Sequence, residues 1–104
     1  MLVQDFNIYR GDDYIVEIAV INDDGSDADL ANTDVKLGFN DGNGGKMSYA
    51  DITVENNIVT AHFKHETTKN LTYSRAKWDL QLTKDNIVTT VARGNINITK
   101  DITP

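Results

Sequence analysis

The residues best suited to hold a metal are two histidines three positions apart, His62 and His65, and the aspartates of NDDGSDADL (Asn22–Leu30): Asp23, Asp24, Asp27 and Asp29. A hard cation such as calcium takes several oxygen ligands, which such a loop could supply. Its spacing fits no EF-hand, because the glycine is fourth in the loop and no glutamate closes it. A solvated hairpin loop accounts for the same residues. In a continuing strand His62 and His65 point to opposite faces and cannot share an ion, although a chain reversal at His65 would change that geometry. The stretch GFNDGNGGKM (residues 38–47) resembles a phosphate loop only superficially. Asn40 stands where the first glycine is needed, Met47 replaces the hydroxyl residue, and no helix follows to present its N-terminus.

Ser26, Ser48 and Ser74 lack the strand-to-helix context of an activated nucleophile, and KHET carries the wrong order for a zinc-protease helix. No pair of carboxylates is placed at a working distance for glycosidic chemistry. The expectation is therefore no catalytic residue, no cofactor and no metal. Asn70-Leu71-Thr72 and Asn97-Ile98-Thr99 match the glycosylation pattern without a secretory signal to give it meaning. Arg10-Gly11-Asp12 matches the tripeptide by which matrix proteins dock on integrins. It also lies between two apolar runs, where the chain must turn and a glycine is the least strained residue. The turn reading assigns Gly11, Asp12 and Asp13 a structural role, with the short acidic side chains accepting backbone N–H bonds. Among the aromatics, Trp78 is in phase with Leu80 and Leu82 and reads as core, and Tyr73 covers the edge of that core. Tyr49 is the least committed and is the candidate for an exposed contact.

These residues must be positioned by 104 residues without a cysteine, so stability rests on packing and one domain spanning 1–104 is expected. The net charge of −6 argues against nucleic acid, whose affinity rests on cations that displace counterions. The charge is uneven: residues 1–61 hold three Lys/Arg and twelve Asp/Glu, a balance of −9, whereas residues 62–104 hold seven and four, a balance of +3. If that asymmetry survives folding it favours head-to-tail contact between copies. No window approaches the roughly 18 apolar residues of a membrane span. The opening MLVQDFNIYRGDD lacks the basic start and apolar run of a signal peptide, so a protein made and kept inside a cell is expected.

Hydrophobicity alternates with a period of two. Tyr14, Val16, Ile18 and Val20 share one face of a strand, as do Val35, Leu37 and Phe39, Val59, Ala61 and Phe63, Trp78, Leu80 and Leu82, and Ile96 and Ile98. Phe6 with Ile8, Ile52 with Val54, and the run Ile87–Val91 bring the total to about eight short strands. The predicted core is Tyr14, Val16, Ile18, Trp78, Leu80, Leu82, Ile96 and Ile98. Glu55-Asn56-Asn57 and Lys84-Asp85-Asn86 read as tight hairpins, and only HETTKNL (residues 65–71) suits a helical turn. Strands at this spacing without helices predict an all-β antiparallel sandwich or small barrel.

Two stretches together resemble a known family. Ile8-Tyr9-Arg10-Gly11-Asp12-Asp13-Tyr14, an apolar strand, the Asp24-Gly25 turn and Asp29-Leu30-Ala31 are similar to the opening of phage baseplate upper protein N-terminal domains and related immunoglobulin-like tail modules. Glu66-Thr67-Thr68, Leu71, YSRAKWDLQL (residues 73–82), Val91, Gly94 and INITKDIT (residues 96–103) resemble its closing run of a threonine-bearing turn, a Y-x-Y-D-L-x-L strand, G-x-I-x-I and a terminal D-V-T. NDGNGGKMSYAD has no counterpart there, and Trp78 stands where a tyrosine is common. The resemblance implies an immunoglobulin-like β-sandwich of about seven to eight strands. It further implies a non-enzymatic structural or adaptor part of a phage virion, in tail, baseplate or head decoration, that binds other virion proteins or copies of itself and neither nucleic acid nor membrane. A module binding host-surface carbohydrate is the alternative, with exposed aromatics such as Tyr49 as its requirement.

Overall fold

Alternation builds two layers. The structure, a computed structural model, describes residues 2–40, 47–69 and 75–99. In chain order the elements are β1 (Leu2–Val3), β2 (Phe6–Tyr9), β3 (Tyr14–Ala19), β4 (Asp34–Asn40), β5 (Ser48–Tyr49), β6 (Asp51–Glu55), β7 (Ile58–Phe63), α1 (His65–Thr68), β8 (Arg75–Lys84) and β9 (Ile87–Thr99). One sheet runs β1-β9-β8-β4-β5 with β2 also on β9, and the other runs β3-β7-β6. This is the B-E-D and G-F-C order of an immunoglobulin-like sandwich, with short β5 added beside β4. The fold is all-β, as the patterning predicts.

Three details depart from the sequence reading. β1 and β2 pair with β9 in parallel, so the sandwich is not wholly antiparallel. The runs Ile87–Val91 and Ile96–Thr99 are one strand, β9, because a register shift opposite Leu80/Gln81 leaves Val91 unpaired and lets the ladder continue through Gly94. β9 is consequently internal, held by β8 on one side and by β1 and β2 on the other. β3 stops at Ala19, since the Val20 N–H donates to Asn57 O and the Val20 carbonyl accepts from Ala28 N and Asn57 Nδ2.

Ile18, Trp78, Leu80, Ile96 and Ile98 are buried in the core with Phe6, Ile8, Leu37, Phe39, Val59 and Phe63, while Tyr14, Val16 and Leu82 are half-buried against it. Aromatic rings occupy the centre. Phe6 stacks on Trp78 at 4.6 Å between centroids, and Phe39 meets Phe63 at 5.1 Å. Trp78 lies on β8, the strand-F position, and no disulfide is available for it to cover. The β6–β7 hairpin turns through Asn56 at φ 56°. The β8–β9 hairpin turns through Asp85 and Asn86, both at positive φ, which is the type I′ signature.

Candidate functional site

The corner after β2 is a turn closed by an Asp12 N–H···O bond to Tyr9, with Gly11 at φ 89°. An L side chain at that angle is strained, so glycine suits the position. The corner is also tied to α1, more than fifty residues on. Thr68 is fully buried; its hydroxyl accepts the Gly11 N–H at 3.1 Å and donates to the Asp12 carbonyl at 2.8 Å. Asp13 completes the junction. Its carboxylate accepts the His65 N–H at 2.8 Å, satisfying an orphan amide at the start of a helix whose own N-cap, Lys64, makes no side-chain cap bond. The tripeptide is thus clamped from behind. Arg10 is half-buried, with its Nε enclosed and without a hydrogen-bond partner among the described residues.

Strand β7 ends at Phe63 and the chain reverses into α1, so His62 and His65 converge after all, on Asp13 rather than on an ion. His62 Nε2 and His65 Nδ1 lie 3.3 and 3.2 Å from Asp13 Oδ1. A carboxylate only accepts, so each facing ring nitrogen donates. The His65 N–H first, then the His65 and His62 rings, hold the Asp13 carboxyl below the usual aspartate value. Lys64, 2.8 Å from Asp51, lowers that carboxyl in the same way and is itself raised by it. Asp24 is lowered by the Ser26 hydroxyl and N–H. Each shift favours the charged form, whereas a general acid at neutral pH needs its carboxyl pushed up.

In the acidic loop, Asp24 bonds Ser26 and Asp29 accepts the Ala31 N–H, so two of the four aspartates are turned onto backbone. Among the described residues no group of three or more His, Asp or Glu could hold a metal. Residues 41–46 of the glycine-rich stretch, with Tyr73, Ser74 and the Asn70 sequon, lie outside the described residues. Asn97 lies in β9 and its amide donates to Asn7, with Ile98 buried beside it.

A second contact between distant residues lies under β8. The Trp78 indole N–H donates to the Gln4 carbonyl at 2.9 Å, and that carbonyl crosses directly over Gly94. A Cβ built on Gly94 would stand 1.7 Å from Gln4 O, so only glycine leaves room for the crossing between β1 and β2.

The two outer sheet faces differ in charge. The outward positions of β3, β7 and β6 line up as Ile15–His62–Asp51, Glu17–Thr60–Thr53 and Ala19–Ile58–Glu55, with three acids and no lysine or arginine. The outer face of the larger sheet carries Lys36, Arg75, Lys77 and Arg93 against Asp34 and Asp79. A groove of about 690 Å³ crosses it between Val3 and Met47, with Gly38, Lys77, Asp79, Arg93 and Asn95 along it. Tyr49 is 59% exposed and lies over Gly38 beside the groove.

No protein-family model and no curated protein matches the chain. A solved family 123 glycoside hydrolase from Clostridium perfringens, described for glycolipid glycan hydrolysis, is similar over 100% of this chain and 24% of its own, with 11% identity and a TM-score of 0.44. This chain therefore spans about a quarter of that hydrolase's length.

Sequence reasoning singled out Gly11, Asp12, Asp13 and Tyr49 but missed Thr68, Gln4 and Gly94 as the groups that fix the corner and the β1–β2 crossing. Thr68 and Gly94 fall within motifs of the resemblance, which is the one signal that points to them.

Proposed function

We propose that the chain is a non-enzymatic structural or adaptor module of a phage particle that binds other virion proteins. The observation that carries the binding role is the exterior. Ile15, Val3 and Tyr49 are 62%, 64% and 59% exposed, with Glu17 near Ile15 on the same face and Arg93 opposite Val3. On the larger sheet Val3, Met47 and Tyr49 are exposed around one groove that also carries charged side chains, an arrangement suited to a protein partner. The three-stranded sheet adds two outer strands, β3 and β6, each paired on one side only among the described residues, as strand addition requires.

The phage assignment rests on the resemblance. Two of its separate parts, the Arg10-Gly11-Asp12 corner and the threonine-bearing turn, meet through Thr68. Native mass spectrometry of the chain with the purified proteins of a candidate particle tests the reading. A defined complex is expected, and absence of any complex overturns it.

Binding of host-surface carbohydrate is a second reading, favoured by exposed Tyr49 beside a groove that offers Asn, Asp, Lys and Arg side chains. Glycan-array binding that disappears in Tyr49→Ala would replace the adaptor reading.

A further inference from the structure

We propose that the outer face of the larger sheet docks on the outer face of the three-stranded sheet of a second copy of this chain. The contact is head-to-tail and stands independently of the phage assignment. Arg75, Lys77 and Arg93 lie on the outer face of the larger sheet, exposed and without a carboxylate partner among the described residues. Glu17 and Glu55 are in the same state on the opposite face, with Asp51 held by Lys64. Asp79 stands opposite Arg93, yet Lys36, Arg75, Lys77 and Arg93 outnumber Asp34 and Asp79 on that face, and the excess is complemented by the acidic face of another molecule. Like faces repel, so a two-fold contact of either face with itself is disfavoured.

Shape agrees with charge. Ile15 projects from β3 with Asp13 and Glu17 on the same side of the strand, giving an apolar anchor with an acidic rim. The groove on the other face has apolar ends, Val3 and Met47, and a rim on which two cations, Lys77 and Arg93, flank one acid, Asp79. An anchor buried at the centre with charges around it is the arrangement of a specific interface. Because the joined faces differ, the contact repeats and generates an open chain or a ring.

Sedimentation and native mass spectrometry at about 1 mM protein and about 0.01 M salt, where charges act over ~30 Å, should reveal oligomers that dissociate at about 1 M salt, where the range falls to ~3 Å. Lys77→Glu with Arg93→Glu makes both faces acidic; Glu17→Lys with Glu55→Lys makes both basic. All four positions are exposed, and circular dichroism checks that each variant folds. Each variant alone should associate at least about tenfold more weakly than the parent, and a mixture of the two should regain a complex. Ile15→Ser should weaken association without changing the fold. A parent protein that stays monomeric overturns the proposal, as does association indifferent to salt, or folded variants whose mixture forms no complex. A parent monomer that instead binds acidic glycans on the Lys77–Arg93 face would assign that groove to a saccharide and likewise overturn it.

Discussion

Gly94→Ala is the sharpest test of how β1 and β2 are held to β9. Gly94 does not need glycine for its backbone angles, since the positive-φ glycines described are Gly11 and Gly25. It needs glycine for space. The new methyl carbon would lie 1.7 Å from Gln4 O, 2.6 Å from Gln4 C and 2.8 Å from Trp78 Nε1. Removing the overlap requires the Gln4 carbonyl to retreat by roughly 1.5 Å, which carries the indole bond past the ~3.2 Å limit of an N–H···O contact. Leaving the buried indole donor unsatisfied costs about 1–3 kcal/mol, and forcing extra volume into a packed site costs about 1–3 kcal/mol more. The expected loss is about 4 kcal/mol, a large share of the ~5–15 kcal/mol that holds a domain of this kind.

Urea and thermal unfolding followed by Trp78 fluorescence read this directly, because Trp78 is the only tryptophan. At about 4–8 °C per kcal/mol the midpoint should fall by ~15–30 °C, with native emission shifted as the ring loses its partner. Two other glycines calibrate the result. Gly25→Ala meets nothing within 4 Å but sits at φ 88°, so it should cost about 1–2 kcal/mol from backbone strain alone. Gly38→Ala meets the Met47 methyl at 2.7 Å, the far end of a flexible side chain, and should change stability by less than about 1 kcal/mol. A Gly94→Ala loss no larger than that of Gly25→Ala would refute the crossing geometry.

Thr68→Val should remove both bonds to the Gly11–Asp12 corner and lower stability by about 1–3 kcal/mol in urea, and Thr68→Ser should recover most of it. Because Asp13 is lowered below 3.8 on folding, its contribution is complete above that value and fades as pH falls through the lowered one. The stability gap between the parent and Asp13→Asn should therefore close in acid, and a gap unchanged from pH 6 down to about 2 would contradict the Asp13–His65 contact. Asn86→Gly should stabilise the β8–β9 hairpin by about 0.5 kcal/mol, because φ 65° suits glycine better than asparagine.

The strands and the core were legible because alternation is a local signal. Trp78, Leu80 and Leu82 declare a shared face within five residues, and Asp85-Asn86 declares a turn by residue type alone. What stayed hidden depends on pairs far apart in sequence. Nothing near Asp13 indicates that its carboxylate caps a helix at His65, and nothing near Gly94 indicates that residue 4 crosses over it. The strand spacing of His62 and His65 predicts divergence; a chain reversal one residue beyond Phe63 brings them together. β9 misled for a related reason. The run Ile87–Val91 and the alternation around Ile96 and Ile98 read as two strands, yet they are one, and Gly94 between them is the point where another segment of backbone lies closest.

Charge placement follows from the order in which strands are dealt to the layers. Folding could have mixed the acidic first part of the chain with the basic last part, as interleaved sandwiches usually do. Here β3, β6 and β7, the whole of one sheet, come from residues 14–63, whereas β8 and β9, the centre of the other, come from residues 75–99. β4 is the main contribution of the acidic part to the second sheet, and its outward positions bring one lysine and one aspartate that pair with each other at 3.9 Å. The acids at outward positions of the three-stranded sheet, Glu17, Asp51 and Glu55, therefore lie on the face opposite the cationic excess of Arg75, Lys77 and Arg93. Exchanging charge between Glu17 and Lys77 leaves composition, net charge and core untouched and alters only this separation. If Glu17→Lys with Lys77→Glu retained the salt-sensitive assembly of the parent, the separation of charge would be a by-product of strand order without consequence for association.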